Sequence, residues 1–140
     1  MANISQLPND LYKLFEVIRE DLAQEVGKTV RDRAKLSLDE PKSGVLNKNT
    51  GKPRSEWGEP PASDTGETKR NTFYRTKKVG GKTTVIDIIN NTKYAGYMEA
   101  SNYLNRPYLQ NAVSDVMDNP IIVEDLIVKA VNKHYGIFIK

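Results

Sequence analysis

Residues 41–71 carry four prolines, four glycines and only four apolar side chains, Val45, Leu46, Trp57 and Ala62. That density of Pro and Gly excludes regular structure over most of the stretch. A loop of this length inside a small domain is uncommon, and is usually functional or disordered. The fold must therefore be built from the two flanks. They have the means: the chain as a whole is 38% apolar, and outside the loop the figure rises to about 45%, an ordinary globular density. At 140 residues the expectation is a single domain spanning 1–140.

The charge is unevenly placed along the chain. Residues 40–82 have a net charge of +5, while 1–39 and 83–140 are each at −1. A basic, apolar-poor segment suits contact with an acidic surface, either nucleic acid or protein. It is equally what a solvated loop needs to stay soluble. Trp57 stands alone within it, placed either to anchor a partner or to pack back onto its own sheet.

The N-terminal flank reads as one long helix over 9–39. Leu11, Leu14, Phe15, Ile18, Leu22, Val26, Val30 and Ala34 recur at steps of three or four and share one face. Pro8 suits the first turn and Pro41 is a stop signal. Gly27, inside the helix, implies either a bend or a close neighbour. Such a helix would be roughly 45 Å long at 1.5 Å per residue. Either it outruns its own core and packs on a second subunit, or it is a kinked pair.

After the loop, 72–90 reads as a β-hairpin. Asn71–Lys78 and Thr83–Asn90 are rich in β-branched and aromatic residues, with a turn at Gly80–Gly81. The second strand is apolar on both faces except at Asp87 and is expected to be central, the first an edge. A helical pair over 105–133 follows. Its first member is capped by Asn105 and buries Tyr108, Leu109, Ala112, Val113, Val116 and Met117. Asn119–Pro120 breaks it, and the second buries Ile122, Leu126, Ile127, Ala130 and Val131. The apolar tail 135–140 is expected to dock as a strand or extended arm. The expected class is α+β, with the long N-terminal helix and the C-terminal helices packed on a small, mainly antiparallel sheet, and with 41–71 as an extended flexible loop.

Most chemical classes fall away. No window approaches the roughly 18–20 apolar residues of a membrane span. Residues 1–15 lack a basic region followed by an apolar one, so a secretion leader is not expected. Without cysteine there is no disulfide framework, thiolate zinc site or cysteine nucleophile, and folding in a reducing cytoplasm is expected. Gly81-Lys82-Thr83 looks like the end of a phosphate loop, but Thr76 stands where a glycine is needed and a strand follows rather than a helix. The one histidine, His134, would have to work with Glu99, Asp115, Asp118, Glu124 or Asp125, and nothing in their spacing gathers them. Asn90-Asn91-Thr92 fits a glycosylation acceptor but carries no meaning without secretion. Tyr94, Tyr97, Tyr103 and Tyr108, near Lys93 and Arg106, either stack bases or sit half-buried with their hydroxyls at the rim. No enzyme, cofactor, metal site or small-molecule substrate is expected.

Three stretches, in order, suggest a family: Val30-Arg31-Asp32-Arg33-Ala34-Lys35 closing the long helix, the loop Gly58-Glu59-Pro60-Pro61-Ala62-Ser63-Asp64-Thr65-Gly66-Glu67, and Tyr94-Ala95-Gly96-Tyr97-Met98-Glu99 followed by Arg106-Pro107-Tyr108-Leu109 and Ala112. With them the chain resembles the tail-completion proteins of tailed bacteriophages, also called head–tail connector or minor tail proteins of the neck. It departs from their pattern at Thr68 and at Ala100–Ser101. The resemblance implies a non-enzymatic structural protein of the virion, made in the host cytoplasm. It would form a homo-oligomeric ring, commonly sixfold, between the head-completion (adaptor) proteins and the tail terminator. Inter-subunit or inter-ring contacts are then expected at Trp57, Glu59, Pro60, Pro61, Asp64 and Thr65 in the loop, and at Tyr135, Ile137, Phe138 and Ile139 in the tail. The basic loop would face an acidic neighbour or the DNA in the channel. The competing reading is a small nucleic-acid-binding module acting on phage DNA, supported by a pI of 9.0 and the basic loop.

Overall fold

The computed structural model describes residues 7–49, 51–56, 59–61, 66–80, 83–92 and 108–139, with backbone alone at 7–10 and 135–139. The order is α1 (Leu7–Asp39), α2 (Glu67–Arg70), β1 (Thr72–Val79), β2 (Thr83–Asn90), α3 (Leu109–Met117) and α4 (Pro120–Ile139). The class is α+β, with the long N-terminal helix and the C-terminal helices accompanying a two-stranded antiparallel sheet.

α1 is a single helix of 33 residues, and Gly27 does not break it. The glycine is there for a neighbour: a Cβ at position 27 would lie 2.4 Å from Cδ2 of Tyr74. The ring of this β1 tyrosine lies against the bare backbone of one helical turn. On the next turn the Arg31 guanidinium sits 5.2 Å from its centre, a cation–π contact. The helix ends as Pro41 approaches. Its last carbonyls find partners in Ser37 Oγ, which donates to Ala34 O at 2.7 Å, and Lys42 Nζ, which donates to Ser37 O at 2.9 Å.

The hairpin has the expected strands, in register from Thr72↔Asn90 to Val79↔Thr83. Gly80 turns the chain with φ 64°. β2 is not central. Among the described residues the sheet has two strands, so β2 has β1 alone as neighbour, and Thr84 to Asn90 are half-buried throughout. The apolar run is satisfied differently: one face of the hairpin lies on α1. Tyr74 meets Gly27, Thr76 Oγ1 accepts from Gln24 Nε2 at 3.0 Å, Lys78 pairs with Glu20, and Ile88 packs on the core. On the alternate face Arg75 Nε donates to Asp87 at 3.0 Å across the strands.

α3 begins at Leu109 behind Tyr108; the expected cap, Asn105, lies outside the described residues. Asn119 is more than a breaker. Its Oδ1 accepts the amides of Ile121 at 3.1 Å and Ile122 at 3.4 Å, capping α4, and Pro120 takes the first helical position. α4 then runs to Ile139, so the tail is helix rather than the expected extended arm. Gly136, with Lys133 and His134 before it, has the form of a helix stop, yet the helix runs through it at a cost of roughly 1 kcal/mol relative to alanine.

The core gathers Val30, Ala34 and Leu38 of α1 with Tyr108, Ala112 and Val116 around α3 and Leu126 of α4. Burying a Val- or Leu-sized side chain contributes roughly 1.5–3 kcal/mol. Tyr108 is fully buried, with its hydroxyl 3.4 Å from Thr72 Oγ1, rather than half-buried at a rim. Val113, Met117, Ile127 and Val131, expected inside, are 38–49% exposed.

Candidate assembly surfaces

The segment between α1 and β1 has more order than its composition suggests. Gly44 N donates to Arg54 O at 2.8 Å, Arg54 N to Val45 O at 3.0 Å, and Asn47 N to Lys52 O at 2.8 Å, with Leu46 bridged to Pro53. Gly51, at φ 70°, closes the tip and donates to Asn47 O at 2.8 Å. The result is a short two-stranded ribbon. Gly44 is required in it, because a Cβ there would stand 2.3 Å from Arg54 O.

Glu59 fastens the base of this ribbon. Its carboxylate accepts the Glu56 amide at 2.7 Å, the Ser43 hydroxyl at 2.5 Å and the Ser43 amide at 3.3 Å. The Glu56 amide, then the Ser43 hydroxyl, hold the carboxyl below its ordinary pKa. The carboxylate expected to reach a neighbouring subunit is thus engaged within its own loop. Lys42, its ammonium directed back to α1, is lowered by desolvation. Pro60 is half-buried and Pro61 buried; Trp57, Asp64 and Thr65 lie outside the described residues. Further on, Gly66 at φ 76° precedes the single turn of α2. Asn90 Nδ2 then ties the end of β2 to Thr68 O at 2.8 Å and Thr72 Oγ1 at 3.0 Å.

The second expected surface is the tail. Tyr135, Ile137 and Phe138 lie within α4 and Ile139 is its last residue; their side chains, and Lys140, lie outside the described residues. α4 runs antiparallel to α1. Lys129 meets Glu25 at 3.3 Å, Lys133 meets Asp21 at 3.6 Å, and His134 Nε2 contacts the same Asp21. Asp21 is held below its ordinary value of 3.8, chiefly by the His134 hydrogen bond. Among the described residues the histidine's partner is therefore a carboxylate of α1, and none of Asp115, Asp118, Glu124 and Asp125 considered from sequence. Asp115 is taken by Arg33 at 2.9 Å, Asp118, Glu124 and Asp125 are exposed, and Glu99 lies outside the described residues. Lys93, Tyr94, Tyr97, Tyr103, Arg106, Gly81 and Lys82 also lie outside them.

A third surface comes from α1 itself. With His134 opposite Asp21, the five residues to Ile139 carry α4 only to the level of about residue 16. Lys78, one residue before the end of β1, meets Glu20. Among the described residues, the ion pairs that tie α1 to the hairpin and to α4 begin at Glu20 and Asp21. Ahead of them on α1, Tyr12 is 70% and Phe15 63% exposed, and Leu11 is exposed too. Periodicity placed Leu11 and Phe15 on the apolar face, and their exposure was invisible to it.

An open cleft of about 590 Å³ between α1, α3 and α4 is lined by Thr29, Arg33, Leu36, Asp115 and Ile122 among others. Among the described residues no cluster of His, Cys, Asp and Glu could hold a metal ion, and no helix is long and apolar enough to cross a membrane. Compared with protein-family models, with curated proteins and with solved structures, the chain matches none.

Proposed function

We propose that the chain is a structural, non-catalytic subunit of the tailed-phage neck, which assembles into a ring between the head-completion proteins and the tail terminator. The observation that carries this reading is the exposure of Tyr12 and Phe15 near the start of α1. Two large aromatic side chains in water, ahead of the ion pairs that tie the helix to the hairpin and to α4, make a face suited to a surface outside its own chain. The family resemblance supplies the kind of assembly. A ring subunit needs a small rigid core and outlying segments that reach neighbours, and it needs no chemistry of its own. Contacts that are weak singly become strong on closure, because the last subunit docks on two neighbours at once.

The test is genetic and structural. Removing the gene should leave DNA-filled heads and complete tails unjoined by electron microscopy, and supplying the protein in trans should join them. An unchanged yield of infectious particles refutes the function.

A further inference from the structure

Charge is segregated within this chain in a way the ion pairs of the fold do not use up. Residues 41–55, which make the ribbon, contain Lys42, Lys48, Lys52 and Arg54 and no acidic residue. Residues 107–128, which make α3 and the first half of α4, contain Asp115, Asp118, Glu124 and Asp125 and no Lys or Arg. Asp115 is neutralised by Arg33 and Lys42 is turned inward to Ser37. Asp118, Glu124 and Asp125 are exposed and form no ion pair among the described residues, and the same holds for the side chains of Lys48 and Arg54.

Each charged surface also carries bare apolar side chains. On the ribbon Val45 is 80% and Leu46 61% exposed. On α4, Ile121, Glu124, Asp125 and Val128 follow at steps of three, one and three, which puts all four on one helix face. All four are exposed, Ile121 at 73%. The opposite side of the helix is the buried one, through Leu126 and Ala130. One surface is thus apolar with a basic border and the other apolar with an acidic border, and both belong to the same chain.

We propose that the basic ribbon of one copy docks on the apolar–acidic face of α4 in the next copy, a head-to-tail contact of the chain with itself. The contact deepens the ring reading above and rests on it. Two different surfaces meet, so the interface is heterologous and propagates around a ring instead of ending at a twofold dimer. Leu46 meets Ile121 and Val128, Lys48 at the ribbon's turn meets Glu124 and Asp125, and Arg54 adds its charge to the same basic ribbon; Val45, the neighbour of Leu46, faces the other way. The internal bonds of Glu59 and Gly44 hold the ribbon in shape before docking, which lowers the entropy lost on association.

Charge reversal tests this without touching the core. Lys48→Glu with Arg54→Glu, and separately Glu124→Lys with Asp125→Lys, should each weaken self-association about tenfold or more in sedimentation velocity, because like charges then face each other. Both variants should keep the native circular-dichroism spectrum, since every altered side chain is exposed. An equimolar mixture of the two should recover assembly, as should one chain carrying all four changes. Recovery is the outcome that a general effect on solubility or folding does not produce. Robust self-association in both variants overturns this contact while leaving the ring in place. A wild-type chain that stays monomeric at the highest attainable concentration overturns both. Loss of assembly in both variants without recovery in the mixture overturns the pairing of these two surfaces. If the ribbon variant alone fails, and in parallel loses a steeply salt-dependent affinity for a duplex DNA oligomer, the ribbon serves nucleic acid and the proposal is wrong.

Discussion

The two halves of α1 obey the same apolar repeat and have opposite fates. Past Val30 the stripe is sealed, with Val30 2% and Ala34 0% exposed under α3 and α4. Before Ile18 the same stripe leaves Phe15 63% and Leu11 39% exposed. The difference lies in what stands opposite. α3 and the start of α4 cover the C-terminal half; among the described residues the ion pairs from α1 to the hairpin and to α4 begin only at Glu20 and Asp21. A helical repeat states which side chains share a face, and burial is decided by the lengths of other elements.

The largest effect should come from placing the same charge in each half. Val30→Asp buries a carboxylate among apolar side chains and should cost about 4 kcal/mol or more, enough to unfold a marginal domain. Phe15→Asp should leave the thermal midpoint nearly unchanged while abolishing assembly. Equal loss of folding in the two variants would erase the distinction between the halves. Ile88→Asp extends the test to the sheet: Ile88 packs against the core from β2, and its variant should behave like Val30→Asp. A soluble Ile88→Asp protein with cooperative unfolding would mean that the hairpin contributes little to the core.

A smaller change tests the middle of the helix, where the two halves join. Gly27→Ala must displace the Tyr74 ring and should cost about 1–3 kcal/mol by overpacking, although alanine is the better helix former. Tyr74→Ala made in the same chain should remove most of that cost, a coupling that denaturant titration of the double-mutant cycle measures. Additive losses would show that Gly27 is not there for the ring.

pH separates the halves more gently. Asp21 joins the exposed half to α4, and its folded pKa is depressed, so its contribution is present above its unfolded value near 3.8 and is lost as pH falls through the folded one. Asp21→Asn should therefore flatten the fall of stability in acid below about pH 4 and lower stability modestly near pH 7. Parallel acid curves for the two proteins would remove Asp21 from the clasp. The least disturbance is expected from Glu59→Gln in the ribbon, where hydrogen exchange of the Glu56 and Ser43 amides should quicken while the thermal midpoint stays put.

Local signals in the chain were read correctly wherever the physics is local. Pro41 stops α1, the β-branched runs on either side of Gly80 pair as a hairpin, and Asn119–Pro120 separates two helices. Each follows from backbone restrictions that act over a few residues. The tail misled because its apolar residues suit strand and helix equally, and because Gly136 after Lys133 and His134 reads as a helix stop that the helix in fact passes through. The loop misled in part, because Glu59 and Ser43 are 16 residues apart and no short-range rule pairs them.

By itself, then, the sequence determined the helix and hairpin identities, the +5 placed between two acidic flanks, and the absence of cysteine chemistry. The tertiary structure alone decided the remainder: that Gly27 makes room for Tyr74, that His134 meets Asp21 across 113 residues, that β2 has a single neighbour among the described residues, and that Tyr12 and Phe15 stay exposed near the start of α1. The reason is one of range. Periodicity and turn chemistry are carried by dihedral preferences and neighbours a few residues apart. Cover is a relation between surfaces distant in the chain, and it exists only once their relative lengths and positions are set by packing.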